Sequence, residues 1–172
     1  MHTLQYPIGK FNAPQEISET HIADWIKAIQ LLPEKLKAVT QNFTSEQWKT
    51  TYRPGGWTAQ QVVHHIADSH MNSIIRFKWA LTENAPQIKT YHEKLWSELP
   101  DVFLTPPEIS LNLIDFLHQR WVVLLQNFQP QDFDKSYVNP ETQRIYDLKT
   151  AIGLYAWHGN HHLAHLKLIA EA

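Results

Sequence analysis

The 172-residue sequence contains no cysteine. That excludes a disulfide scaffold, a thiolate metal site, an iron–sulfur cluster and a cysteine nucleophile. No apolar run approaches the ~20 residues needed to cross a bilayer, so no membrane partner is expected. The opening Met1-His2-Thr3-Leu4-Gln5-Tyr6-Pro7 lacks the basic start and apolar stretch of a signal peptide. The expected setting is cytoplasmic. Excess charge of one sign is missing too. Lys and Arg number 15 against 17 Asp and Glu, and the basic residues do not cluster. Nucleic acid, which demands a positive surface, is therefore not an expected partner.

What is there is globular. Hydrophobic residues make up 43% of the chain, enough for one domain over residues 1–172 with a core that folds without staples. Four segments have helical length and period. The first runs from about Ala13 to Phe43, with a kink or brief break expected at Pro33. The second runs from Thr58, a plausible N-cap, to about Glu83. The third runs from about Pro107 to Phe128, and the fourth from an Asp147 cap to about Ala170. Strand signals are weak. Four amphipathic helices in a chain this long predict an all-α four-helix bundle. Residues 84–106 form a long proline-bearing linker, expected to cross the end of the bundle, with a short helix near 91–96. An internal echo aligns residues 42–52 with 127–137: Asn42, Phe43 and Tyr52 match Asn127, Phe128 and Tyr137. It makes the second and fourth segments pseudo-equivalent.

Histidine is the unusual component, at 11 copies. Seven fall in two windows: His64, His65 and His70 in the second segment, and His158, His161, His162 and His165 in the fourth. Residues i and i+4 of a helix lie within about 40° on one face. His158/His162 and His161/His165 both have that spacing. The first pair falls inside the apolar face defined by Leu148, Ala151, Tyr155, Leu166 and Ile169. The second is rotated by roughly 60° toward its edge. A third ligand is usual, and His65 is the candidate. It shares a stripe with Thr58, Ser69, Asn72 and Arg76, a polar row that a metal with a polar substrate pocket would explain. His64 points about 100° away and is the weaker choice. Asp68 is placed to orient an imidazole through its second ring nitrogen.

Tyr52-Arg53-Pro54-Gly55-Gly56-Trp57-Thr58, Val62 through Ser73, and Arg76-Phe77-Lys78 together resemble the second-helix signature of the YfiT family of the DinB/YfiT superfamily. Tyr155 through His165 resembles its fourth-helix signature. Tyr6 through Phe11 and Leu32 through Ala38 match as well. The superfamily includes proteins labelled metal-dependent hydrolases and the bacillithiol S-transferases. The resemblance implies up-down-down-up connectivity, a homodimer, and one zinc or nickel ion per chain. Its metal ligands map onto His65, His158 and His162. Since the family includes the bacillithiol S-transferases, bacillithiol is the candidate thiol co-substrate, and the polar row of Ser69, Asn72 and Arg76 supplies the candidate substrate-binding residues. Three readings follow. The first is transfer of a thiol to an electrophilic small molecule. The second is hydrolysis by metal-activated water, with Asp68 or Glu93 as base. The third is a non-catalytic metal-binding dimer.

Overall fold

The computed structural model describes residues 2–171. Met1 and Ala172, the ends of the expected domain, lie outside them. The elements in chain order are α1 (His2–Gln5), α2 (Glu19–Thr40), α3 (Ser45–Lys49), α4 (Ala59–Thr82), α5 (Glu93–Trp96), α6 (Pro100–Leu104) and α7 (Pro107–Gln126). A 3₁₀ turn (Pro130–Asp134), strands β1 (Ser136–Asn139) and β2 (Arg144–Asp147), and α8 (Leu148–Ala170) complete the chain. The long helices α2, α4, α7 and α8 form the bundle. Both α2 and α4 pack against α7 and α8, so the first and second long helices face each other across a diagonal.

Helix directions follow from which residues meet. A Cβ added at Gly153 would touch Trp25, and one added at Gly159 would overlap Leu32, so α2 and α8 run parallel. His64 meets Ser110 and His70 meets His118, so α4 and α7 are parallel as well. The contacts of His70 with His158 and of Arg76 with Tyr155 make α4 antiparallel to α8. The connectivity is up-down-down-up. It requires the chain to leave the end of α4 and return to its beginning before α7 starts. The 84–106 linker does this by running lengthwise along α4 rather than across the end of the bundle. Arg76 donates to the Lys89 carbonyl, Gln61 to Ser97, and Gln60 to Val102.

Local chemistry sets the boundaries. Ser18, not the neighbourhood of Pro14, opens α2, because its hydroxyl accepts from the His21 N–H. Thr58 caps α4 with Gln61 completing a capping box, and Asp147 caps α8. Pro33 does not break α2, which continues through it. The β1–β2 hairpin is the element that the sequence did not announce. Its four-residue strands pair Ser136 with Asp147, and the turn places Gln143 at φ 56°. The echo has a physical counterpart. Phe43 meets Trp48 edge-on at 5.2 Å and 65°, and Phe128 meets Phe133 at 5.3 Å and 63°. In the first copy Thr51 pairs with the α4 cap Thr58, as Ser136 pairs with the α8 cap Asp147 in the second. The two histidine-bearing helices are launched by the same device. Among the described residues, no helix is long and apolar enough to cross a membrane.

Candidate metal centre

Because α4 and α8 are antiparallel neighbours, one turn of each faces the other. His65 on α4 meets His158 and His162, one turn apart on α8. The Nε2 atoms of His65 and His158 are 3.1 Å apart. The three residues offer ring nitrogens that all lie within 4.8 Å of one another. Two imidazole nitrogens bound tetrahedrally to a small divalent ion, at bonds of 2.0–2.1 Å, sit about 3.3–3.4 Å apart. The donor set is all nitrogen, with no carboxylate in the group. It fits zinc or nickel and leaves coordination positions open.

The electrostatics favour lone pairs over protons. Burial pushes His65 down to about 3, with His161 adding to the effect. Burial also holds His158 and His162 well below the usual imidazole range, helped by neighbouring histidines. Trp57 lies 4.6 Å from the His65 ring and 6.2 Å from that of His162, forming an apolar wall. Beyond Trp57 a cleft of about 550 Å³ opens between the α3–α4 loop and the linker. Tyr52, Arg53, Lys94 and Glu98 border it.

The other α8 histidines form a second group. His161, His162 and His165 also bring nitrogens within 4.8 Å. His165 is already occupied, since its Nε2 meets the Gln5 carbonyl at 3.3 Å and its Nδ1 meets His162 Nδ1 at 3.3 Å. Tyr52 stacks on its ring at 3.8 Å. His161 stacks on Trp157, and its buried Nδ1 has no hydrogen-bond partner among the described residues. His64 is apart from both groups. It bonds Ser110 and the Thr105 carbonyl, and so pins the end of the linker to α4.

The polar row on α4 leads away from the trio along the linker. Ser69 is buried. Asn72 has turned its amide back onto the Asp68 carbonyl at 2.9 Å. Arg76 donates to Tyr155 Oη at 2.9 Å, and its Nε is buried with no partner among the described residues. Tyr155 in turn lies 6.1 Å from His158, ring to ring. Glu93 of α5 faces Arg76. Burial raises its carboxyl while the guanidinium opposes the shift.

Asp68 is not the orienting group expected from the sequence. Burial, reinforced by Asp101, raises its carboxyl to about 6, and among the described residues its carboxylate makes no hydrogen bond to a site imidazole. A chain of histidines takes that place. His158 Nδ1 meets His70 Nε2 at 3.1 Å, His70 Nδ1 meets His118 Nε2 at 2.7 Å, and His118 Nδ1 meets the Ile29 carbonyl at 2.6 Å. His118 was not among the site candidates legible in the histidine clusters. Its signal was a histidine in line with the buried Ile114, Trp121 and Leu125 on α7.

Comparison with known proteins bears on this arrangement. A relative from Bacillus cereus strain B4264, named "Putative metal-dependent hydrolase", is 51% identical over 166 residues, covering 96% of this chain and 95% of its own. One from Bacillus mycoides, with the same name, is 49% identical over 171 residues, covering 99% and 98%. Among solved structures, YfiT from Bacillus subtilis superposes with a TM-score of 0.96 at 46% identity, over 98% of this chain and 97% of that one. It is described as a probable metal-dependent hydrolase with an unusual four-helix bundle topology. The model of the DinB superfamily matches residues 28–166, and the chain belongs to that superfamily.

Proposed function

We propose that this protein is a metal-dependent enzyme whose ion is held by His65, His158 and His162, and that it transfers a low-molecular-weight thiol, bacillithiol or a similar one, to an electrophilic small molecule. The observation that carries the reading is the three-nitrogen set, with His65 and His162 buried and His158 half-buried, and no carboxylate among its donors. A divalent ion bound there supplies positive charge that lowers the pKa of a thiol or a water at an open position. In the reaction, a sulfur–carbon bond forms, the bond from carbon to its leaving group breaks, and the thiol proton passes to solvent. The cysteine-free chain is compatible, because the sulfur comes from the co-substrate.

The remaining work falls to side chains on α4 and the linker. Arg76, held by Tyr155 Oη, has a buried Nε left to bind a carboxylate of the thiol. Ser69 and Asn72 line the same row and are assigned to substrate. Trp57 shields one side of the trio from water. Changing Arg76 to Ala is expected to raise KM for the thiol about 10–100-fold, the worth of a charged hydrogen bond, with metal content retained. Unchanged conjugation kinetics would remove Arg76 from this role.

Hydrolysis is the second reading. It is favoured by the names of the relatives and by two carboxyls that burial raises, Asp68, pushed up to about 6, and Glu93, whose rise the Arg76 guanidinium opposes. The deciding experiment uses untagged, metal-loaded protein. Conjugation of bacillithiol or other cellular thiols to haloalkyl or epoxide acceptors supports the first reading. Ester or amide cleavage that survives removal of all thiols supports the second.

A homodimer and a cytoplasmic setting belong to the same proposal. Ile109, Leu113, Phe116 and Val123 form an exposed apolar stripe on α7, continued by Phe103 and Leu104 of α6. Such a patch on a monomer is unusual, and a second copy covers it. The cytoplasm is where low-molecular-weight thiols stay reduced.

A further inference from the structure

We infer that two main-chain carbonyls, those of Ile29 and Gln5, fix the tautomers of His158 and His162 through intervening histidines, so that both present Nε2 lone pairs to the site before any ion arrives. The inference rests on reading these residues as metal ligands. It adds that His118, which touches neither of them, is a positioning residue for the metal.

The tautomers follow from a chain of donors and acceptors. A carbonyl oxygen only accepts. His118 Nδ1, 2.6 Å from the Ile29 oxygen, therefore carries the proton. A neutral imidazole has one N–H, so His118 Nε2 must accept, and His70 Nδ1 donates to it across 2.7 Å. His70 Nε2 is then an acceptor, and His158 Nδ1 donates to it across 3.1 Å. His158 Nε2 is left as a lone pair, 3.1 Å from His65 Nε2. The chain works with one proton per ring. His70 and His118 are almost fully buried, and no carboxylate hydrogen-bonds to either ring. The second arm is shorter. His165 Nε2 donates to the Gln5 carbonyl, its Nδ1 accepts from His162 Nδ1, and His162 Nε2 is left for the site.

Both anchor carbonyls are free because a helix has been interrupted. The Ile29 carbonyl would ordinarily bond the N–H of residue 33, four positions on, but residue 33 is proline and has none. The Gln5 carbonyl is the last of α1 and has no helical partner. Proline inside a helix costs about 3 kcal/mol. Here its missing donor leaves an acceptor at the end of the chain that orients His158.

The test has two parts. Long-range ¹⁵N–¹H spectra of the metal-free protein at neutral pH report ring tautomers directly. The Nδ1–H form is expected for His70, His118, His158 and His162. Zinc affinity is then measured by chelator competition for wild type, His118→Leu and His118→Gln. Losing the acceptor in His118→Leu lets His70 and His158 reverse, and is expected to weaken binding about 10–100-fold. The Gln amide, which both donates and accepts, is expected to recover most of that loss. An Nε2–H form at His158 in the metal-free wild type overturns the inference, as does wild-type affinity in His118→Leu. If wild-type protein binds no zinc, the reading of the trio as ligands fails, and the spectra alone decide the tautomers.

Discussion

Acid should unfold the metal-free protein earlier than a domain of this size would otherwise demand, and the size of the effect follows from five histidines. His65, His70, His118, His158 and His162 are all depressed by burial, His65 to about 3 and His118 to about 4. In the unfolded chain each titrates near 6.5. Between 6.5 and the folded value the unfolded state binds the proton and the native state does not, so stability falls as pH falls. At pH 5.5, one unit below the unfolded value, each group removes about 1.4 kcal/mol. Five remove about 7 kcal/mol, comparable with the whole stability of a typical domain. Chelator-treated protein, followed by far-ultraviolet circular dichroism and tryptophan fluorescence, is expected to lose structure between about pH 6 and 5. Bound zinc competes with protons for the same nitrogens and is expected to move the midpoint lower. A metal-free midpoint below about pH 4 would refute the reasoning, because native histidines would then be accepting protons without unfolding.

Two further outcomes test packing and assembly. Gly159→Ala gains about 1 kcal/mol of helix propensity, but its Cβ would overlap the buried Leu32 side chain across the α2–α8 contact. Overpacking of that kind costs about 1–3 kcal/mol, so a lower urea midpoint is expected, and an unchanged or higher one would mean that the helices separate freely. Phe116→Glu puts a charge in the exposed apolar stripe of α7 and is expected to convert a dimer to monomers in sedimentation velocity. A mutant that sediments as wild type would place the interface elsewhere.

What the sequence disclosed, and what it did not, divides along the range of the interactions. His158 and His162 were legible because i,i+4 spacing is a property of one helix, and the apolar residues of that helix chose between them and His161/His165. His65 was legible through the polar row it shares with Ser69 and Arg76. The caps Thr58 and Asp147 announced the starts of α4 and α8 through their own side chains. The chain from His158 to Ile29 was not legible. It joins α8, α4, α7 and α2, and no local pattern records which residues on four helices meet. Pro33 read only as a helix breaker for the same reason. Its consequence lies in a carbonyl four residues earlier and a histidine on another helix. The linker's path along α4 rests on glutamine and arginine side chains donating to carbonyls, contacts that any exposed loop could supply. The hairpin escaped because four residues per strand is too short for alternation to rise above chance.

The central claim is the three-histidine metal centre, and binding stoichiometry tests it most directly. Isothermal titration of zinc into untagged, chelator-treated protein, compared with His65→Ala, His158→Ala and His162→Ala, is predicted to show one tight ion per chain in the wild type and loss of that binding in each variant, while His64→Ala, whose ring pairs with Ser110 and Thr105, still binds. Tight one-to-one binding that survives all three substitutions, or that disappears with His161→Ala and not with His65→Ala, would contradict the account.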